Sequence, residues 1–232
     1  MPLKITNFSN AILYNISFSL PQGHNLILLG SNGVGKTTLA KILSGMIPSD
    51  SVDIDGISPS TTFGHSRAKS INYVPPVLEI FDSFISVKAF LTLSCIEPVC
   101  NIEEVLNQVG ILHLSPKLCH TLSSGESQLV LIASALLHQA NYTIFDEPTA
   151  NLDPQKIQSI FSLLQKSLPS KSKIIITHHL DLAYQLGFDI LFLAHGKIAF
   201  YGSSADFFEP LHLETLYQGA VIKENHYIRV NL

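Results

Sequence analysis

The feature that most constrains the fold is a glycine-rich segment, GSNGVGKTT, at residues 30–38. It follows an apolar run at residues 26–29 and precedes apolar residues with helical spacing at 39–43, so it predicts a turn between a buried strand and a helix. Gly30 and Gly35 have no Cβ atom to prevent the backbone N–H groups from pointing at an anion. A structural glycine turn is the alternative, but the flanking strand and helix favour a phosphate-binding loop.

The side chains of this loop extend the prediction. Lys36 is placed to neutralise the β- and γ-phosphates of a nucleoside triphosphate, and the Thr37 hydroxyl is placed to coordinate Mg²⁺. The predicted nucleotide-binding residues of this loop are Gly30, Ser31, Asn32, Gly33, Val34, Gly35, Lys36, Thr37 and Thr38.

Composition limits the other function classes. With 232 residues, the chain can form one large α/β domain or a domain with an insertion. Hydrophobic residues make up 46% and charged residues only 14%, so we expect apolar surface that meets a partner. The net charge is −4 with two arginines, Arg67 and Arg229, which argues against a nucleic acid partner.

Other sequence signals concern location. No apolar run approaches the length of a membrane span, and residues 1–5 do not resemble a secretory signal, so we expect a cytoplasmic chain. The three cysteines, Cys95, Cys100 and Cys119, form no C-x-x-C pair. This pattern is typical of reduced, structural thiols.

Hydrophobic periodicity predicts strands alternating with helices. An N-terminal antiparallel pair is followed by strands with crossover helices, a polar loop at 58–70 and a helical insertion from 83 to about 139. A further helix is predicted from about Pro154 to Leu168. The predicted strands lie near residues 3–5, 16–20, 25–29, 52–54, 71–74, 142–145, 173–177 and 190–194.

Two acidic residues, Asp146 and Glu147, end the hydrophobic strand YTIF. At the carboxyl edge of a strand, Asp146 can hold Mg²⁺ through water, and Glu147 can polarise a water molecule for attack on the γ-phosphate. A strand followed by a solvated acidic turn is the alternative. The phosphate loop upstream favours the functional interpretation.

The order of five segments resembles the ATP-binding subunits of ABC transporters. These segments are GSNGVGKTT, LSSGE, YTIFDEP, Asn151-Leu152-Asp153 and IIITHH. The resemblance implies an α/β fold with a P-loop NTPase core and mixed sheet, an N-terminal antiparallel β-subdomain and an inserted α-helical subdomain. It places the core at about 1–76 and 140–232, and the helical subdomain at about 77–139.

The resemblance also implies a head-to-tail dimer, either a homodimer or a pseudo-dimer, with two composite ATP sites. Ser123, Gly125 and Glu126 of the LSSGE segment would then contact the ATP bound to the other subunit. Taken alone, LSSGE favours an ordinary helix N-cap over an ATP contact.

Two further residues acquire roles through the resemblance. His178 matches the histidine that contacts the γ-phosphate and helps to position the attacking water. Phe8 matches an aromatic residue that stacks on adenine, and a core phenylalanine is its alternative. The neighbouring His179 is expected on the opposite face of an extended strand, which argues against a metal site formed by the pair.

Several positions depart from the family pattern. Pro76 stands where a glutamine usually touches Mg²⁺ and senses the membrane partner, and proline has no side-chain ligand. Glu79, which is close to Pro76 in the sequence, is the candidate to replace the missing glutamine side chain. Ser124 and Glu126 replace a glycine and a glutamine, and Leu129 and Ser134 replace arginines, so slow or partner-dependent hydrolysis is a hypothesis.

The lack of a fused multi-span region argues against single-chain exporters. The C-terminal pattern, which is AHGKIAFYG at residues 194–202 followed by Leu213 to Tyr217, resembles the ATPases that power import of iron-siderophores, haem, cobalamin or zinc, and the first three are the preferred substrates. Separate transmembrane permease subunits, an extracytoplasmic substrate-binding protein and a peripheral position on the cytoplasmic face of the cell membrane follow from the resemblance. A zinc or manganese importer, a soluble non-transport ABC ATPase and a low-turnover regulatory module are the alternatives.

Overall fold

The computed structural model describes residues 2–97, 100–150, 152–166, 171–224 and 227–230. The strands are β1 (Leu3–Phe8), β2 (Ile16–Leu20), β3 (Leu26–Gly30), β4 (Val52–Ile54), β5 (Ile71–Val74), β6 (Tyr142–Asp146), β7 (Ser172–Ile176), β8 (Asp189–Ala194), β9 (Lys197–Gly202), β10 (Val221–Glu224) and β11 (Tyr227–Val230). The α-helices are α1 (Lys36–Leu43), α2 (Gly64–Ser70), α3 (Val87–Ser94), α4 (Ile102–Val109), α5 (Ser124–His138), α6 (Pro154–Lys166), α7 (Leu180–Leu186), α8 (Ser204–Phe207) and α9 (Pro210–Tyr217).

A six-stranded mixed sheet forms the centre of the molecule, in the order β5-β6-β7-β3-β8-β9. The first five strands are parallel and β9 is antiparallel to β8. Both faces of this sheet are covered, which explains why its inner strands have continuous apolar runs. In β3, Ile27 and Leu29 pack into one core cluster, whereas Leu26 and Leu28 pack into the other.

A second, antiparallel sheet has the order β2-β1-β4 and packs on the cluster that contains Leu26. Tyr142 of β6 joins the two sheets. Its hydroxyl accepts a hydrogen bond from the Leu3 N–H at 3.0 Å and donates one to the Leu20 carbonyl at 3.2 Å. The predicted α/β fold with an antiparallel β-subdomain is therefore confirmed.

The predicted loop at 58–70 is wrong in its second half, where α2 forms. Its start has no side-chain cap and its length is only seven residues, so the sequence carries little signal for it. The helix predicted to reach Leu168 is described as far as Lys166, and Leu168 lies outside the described residues. The predicted insertion contains α3, α4 and α5, and the domain boundaries at 76 and 140 stay a prediction.

The register of the parallel strands brings the predicted motifs to one edge. Asp146 at the end of β6 pairs with Ile176 at the end of β7, and Leu28 of β3 pairs with the same Ile176. The phosphate loop, the two acidic residues and His178 thus leave the sheet side by side, where ligands of open α/β sheets bind. Within the described residues, no helix combines the length and apolar character needed to span a membrane.

Candidate nucleotide site

The phosphate loop (residues 30–38) leads directly from β3 into α1. The helix is N-capped by Gly35, which has a left-handed backbone with φ of 108° and makes no side-chain capping bond. The first N–H groups of a helix have no intrahelical partners, so this end of α1 offers donors to an anion. Ser31, Asn32, Gly33 and Thr37 are exposed, Thr38 is half-buried and Val34 is buried against the core.

Lys36 is buried and lies within its own loop. Its Nζ donates to the carbonyl oxygens of Gly30 at 2.8 Å and Ser31 at 3.0 Å. Burial lowers the pKa of Lys36, and the negative charges of Glu147 and Asp146 oppose that shift. The ammonium is therefore bound to its own loop and lies within electrostatic reach of the two acidic residues, and its contact with phosphate stays a prediction.

Asp146 is 1% exposed, and its two carboxylate oxygens differ. Oδ2 accepts a hydrogen bond from the Tyr73 hydroxyl at 2.8 Å. Oδ1 is buried and has no hydrogen-bond partner among the described residues. A buried carboxylate oxygen without a donor is costly unless a cation completes it, so the donor set fits a metal such as Mg²⁺.

Tyr73 was not anticipated as a site residue, because it belongs to no motif. Burial raises the pKa of its phenol, and the hydrogen bond to the Asp146 carboxylate raises it further. The phenol therefore remains a protonated donor.

Glu147 and His178 form a close pair at the mouth of the loop. Glu147 Oε2 and His178 Nδ1 are 2.9 Å apart. The Glu147 backbone has φ of 49°, in the left-handed region that non-glycine residues rarely adopt. Its N–H donates to the Ile176 carbonyl at 3.0 Å, which fixes the turn after β6 to the end of β7.

His178 shares a cavity of about 260 Å³ with the phosphate loop. The histidine side chain is 52% exposed, and that of Glu147 is 20% exposed. Tyr217 at the end of α9 also lines this cavity. The expected proximity of His178 to the loop is therefore present, although the motif alone contained no sign of Tyr217.

The expectation that His178 and His179 point to opposite faces is wrong. Their ring centroids are 4.2 Å apart with a tilt of 34°. Both residues lie beyond the end of β7, so the alternation of a strand no longer applies. Burial lowers the pKa of His179, and the neighbouring His178 lowers it further.

The LSSGE segment is the N-terminus of α5 and contains a capping box. Ser123 Oγ accepts from the Glu126 N–H at 3.3 Å, and Glu126 Oε2 accepts from the Ser123 N–H at 2.7 Å. Lys117 Nζ lies 2.9 Å from Glu126 Oε1. The bond from the Ser123 backbone, together with Lys117, lowers the pKa of Glu126 to about 2.

Gly125 is buried beneath a side chain from α6. A Cβ atom at this position would lie 2.5 Å from Cδ and 2.7 Å from Nζ of Lys156. Lys156 also forms an ion pair with Asp153 at 3.1 Å. Asn151, the first residue of the motif that contains Asp153, lies outside the described residues.

Phe8 ends β1 and packs against the cluster beneath the N-terminal sheet, as its core alternative expects. Its stacking role stays a prediction. The contacts to the phosphate loop come instead from Ile12 and Leu13, since a Cβ atom on Gly35 would lie 3.0 Å and 2.7 Å from their side chains. Ile12 is 44% exposed, so it adds apolar surface beside the loop.

Pro76 lies on a larger cavity of about 560 Å³ between the core and the helices of the insertion. Thr37, Tyr73 and Glu79 line the same cavity. The Pro76 carbonyl accepts a hydrogen bond from Gln128 Nε2 of α5. Glu79 is exposed on this wall, and its role as a substitute for glutamine stays a prediction.

Comparison with known proteins agrees with this geometry. A family model described as ABC transporter matches residues 13–150. The chain belongs to the ABC transporter family. It is an ATP-binding subunit of that family, and thus an ATPase that energises a transporter. A model of an AAA domain matches residues 119–183.

Individual relatives of this ABC ATPase cover nearly the whole chain. An ABC transporter ATP-binding protein of Pyrococcus furiosus is 32% identical over 85% of this chain and 80% of that protein. The zinc import ATP-binding protein ZnuC of Wigglesworthia glossinidia brevipalpis is 32% identical over 93% of this chain and 92% of that protein. The solved structure of CbiO1 from Clostridium perfringens covers 92% of each chain with a TM-score of 0.73 and 24% identity, and supports the fold alone.

Proposed function

We propose that this ABC ATPase hydrolyses Mg²⁺·ATP to drive import of a metal ion or metal chelate through separate permease subunits. The observation that carries the hydrolytic part is the Glu147 and His178 pair, 2.9 Å apart at the mouth of the phosphate loop. A carboxylate held by an imidazole beside the γ-phosphate position can orient and polarise the attacking water. Glu147 is therefore the proposed general base, and His178 the proposed γ-phosphate contact.

The residues around this pair bind the substrate. Lys36 and the N–H groups of residues 30–38 hold the phosphates, and Thr37 and Asp146 hold Mg²⁺, whose charge offsets that of the phosphates. Phe8 is the proposed adenine contact. The apolar surface of Ile12, close to Gly35, is a second candidate for that contact.

The proposed active form is a head-to-tail dimer in which Ser123, Gly125 and Glu126 complete the ATP site of the other subunit. This arrangement is supported by the family resemblance of LSSGE, which lies at the N-terminus of α5 with the Glu126 carboxylate already bound at that end of the helix. ATP would close the dimer by joining both subunits, and hydrolysis would open it again. The 560 Å³ cavity between the core and the insertion is the proposed permease contact. The proposed position of the ATPase is peripheral, on the cytoplasmic face of the membrane.

The substrate class rests on two arguments. The C-terminal pattern at residues 194–202 and 213–217 resembles importers of iron-siderophores, haem, cobalamin or zinc, and the Wigglesworthia relative is named a zinc import ATP-binding protein. The two agree on a metal, either as an ion or in a chelate. An extracytoplasmic binding protein is the proposed source of the substrate.

The test uses the complex formed by this chain and the membrane subunit that co-purifies with it, reconstituted in vesicles. In Glu147→Gln we expect ATP to bind with unchanged affinity and hydrolysis to fall at least about 100-fold, because the base is lost. Glu103→Gln, an exposed residue of α4, is the control and should hydrolyse normally.

Uptake of zinc, haem, a ferric siderophore and cobalamin is then measured in the same vesicles. We expect ATP-dependent uptake of one of them with the wild-type complex and none with Glu147→Gln. Normal hydrolysis by Glu147→Gln would reject the proposed base. A complex that hydrolyses ATP but imports none of the four would reject the substrate class.

A further inference from the structure

The metal carboxylate of this site has an asymmetric environment that no motif accounts for. Asp146 Oδ2 is held by the Tyr73 hydroxyl at 2.8 Å, while Asp146 Oδ1 is buried without a partner among the described residues. Lys36 is close enough to affect the electrostatics of the carboxylate, but its Nζ is bound to two carbonyl oxygens of its own loop. Oδ1 is thus left for another partner.

Tyr73 comes from a different strand than Asp146. It lies on β5, which pairs in parallel with β6, and Tyr73 is opposite Ile144 in the register. Residue 73 is therefore two positions behind Asp146 along the strand direction, and a long side chain is needed to reach forward to the carboxylate. Tyrosine has that length and ends in a hydroxyl donor. Phenylalanine would reach the same place but has no group that could donate a hydrogen bond to the carboxylate.

The position at which the family usually has a metal-contacting glutamine supplies no side-chain group that could contact the metal or Asp146. Pro76 has no polar side-chain atom, and its carbonyl already accepts the hydrogen bond from Gln128. Tyr73, in contrast, both contacts the metal carboxylate and lines the 560 Å³ cavity together with Thr37. It is thus the residue of β5 that joins this cavity to the predicted metal site.

We propose that Tyr73 is a positioning residue for the metal, because its hydroxyl holds Asp146 Oδ2 and so directs Oδ1 toward the Mg²⁺ of the bound nucleotide. The proposal rests on the proposed Mg²⁺·ATP site. Partners of this kind fix the orientation of a metal ligand, and their loss typically weakens metal binding about 10- to 100-fold. Tyr73 does not itself touch the metal or the reacting atoms.

The test measures metal affinity rather than turnover. Mn²⁺ is titrated into the purified full chain bound to a non-hydrolysable ATP analogue, and free Mn²⁺ is followed by electron paramagnetic resonance. In Tyr73→Phe we expect the Mn²⁺ affinity to fall about tenfold. Binding of the analogue in the presence of a chelator should stay within twofold of wild type, because the phosphate loop is unchanged.

A matched control separates positioning from the general loss of a hydrogen-bonded tyrosine hydroxyl. Tyr142 is a buried tyrosine whose hydroxyl, like that of the half-buried Tyr73, is hydrogen-bonded, and its partners include the backbone groups of Leu3 and Leu20. Tyr142→Phe should leave the Mn²⁺ affinity unchanged. An equal fall in both variants would overturn the proposal, since the effect would then follow from lost stability.

A further variant distinguishes this inference from the site on which it rests. Thr37→Val removes the proposed direct ligand and should weaken Mn²⁺ binding at least as much as Tyr73→Phe. If Thr37→Val weakens binding and Tyr73→Phe does not, the positioning role of Tyr73 is wrong while the metal site stands. If neither changes the affinity, both the positioning role and the proposed metal site are rejected, whatever the outcome of the uptake measurement.

Discussion

Helices α1 and α5 both begin at a segment expected to contact ATP, but they begin in opposite ways. At α1, the N-cap is Gly35, which offers no side-chain oxygen, so the first N–H groups stay available to an anion. At α5, Ser123 and Glu126 satisfy each other's backbone N–H groups. The favourable end of the second helix dipole is therefore already occupied by a carboxylate of the same chain.

This difference separates two proposed roles. The open start of α1 can take up phosphate by itself, with Lys36 as the fixed cation. The closed start of α5 is preformed without ligand, and Lys117 neutralises the carboxylate that would otherwise repel a phosphate of the partner's ATP. We therefore expect α1 to determine ATP affinity in the single subunit, and α5 to affect mainly the closure of the dimer.

The largest expected effect is on ATP affinity, through Lys36 at the start of α1. In Lys36→Met the buried ammonium is replaced by an apolar chain of similar length, and the charge-assisted bonds to the phosphates are lost. We expect ATP affinity to fall by about 3 kcal/mol, roughly 100-fold, measured by calorimetric titration. Lys41→Met in the last turn of the same helix is the control, and an equal loss there would show that only net charge matters.

The second effect concerns the backbone of the phosphate loop that leads into α1. Gly30 has φ of 149°, and a Cβ atom would lie 2.6 Å from the Leu193 carbonyl oxygen. Gly23 also has a positive φ of 87°, but no atom lies within 4 Å of its Cβ position. Gly30→Ala should therefore lower the free energy of unfolding by about 2 kcal/mol more than Gly23→Ala, measured by urea denaturation. Equal losses would mean that the loop can shift away from β8.

The smallest effect is expected at the capping box that begins α5. Glutamine at position 126 can still accept from the Ser123 N–H, so Glu126→Gln should change the free energy of unfolding at neutral pH by less than about 1 kcal/mol. The pH dependence is the sharper signal. The folded pKa of Glu126 is lowered from 4.5 to about 2, so the stability that its charge contributes is present above pH 4.5 and lost as the pH falls toward 2.

The difference in stability between wild type and Glu126→Gln should therefore shrink over that interval, measured by urea denaturation at several pH values. Lys117→Met isolates the cause. Since the bond from the Ser123 backbone is the larger cause of the lowered pKa, most of the pH dependence should survive in Lys117→Met. If the pH dependence disappeared completely in Lys117→Met, the ion pair, and not the capping box, would be the main cause of the lowered pKa of Glu126.

Much of the fold and of the site could be predicted because the signals are local. The strand, turn and helix around residues 30–38 are specified within one short segment, since glycine and the change in hydrophobic period act on neighbours in sequence. The same applies to the capping box of Ser123 and Glu126, which are three residues apart. The short helix α2 is not predicted, because its seven residues, GHSRAKS, have no side-chain cap and no helical spacing of apolar residues.

By itself, the sequence determined the identity and order of the motifs, and thus an α/β fold and the ABC family, and it predicted the phosphate loop. Only the tertiary structure decided which distant side chains meet. Tyr73 reaches Asp146, Ile12 packs on Gly35, and the His178 and His179 rings lie together because strand register and loop packing place them there. Such contacts depend on how separate strands align, and no periodicity within one segment records that alignment.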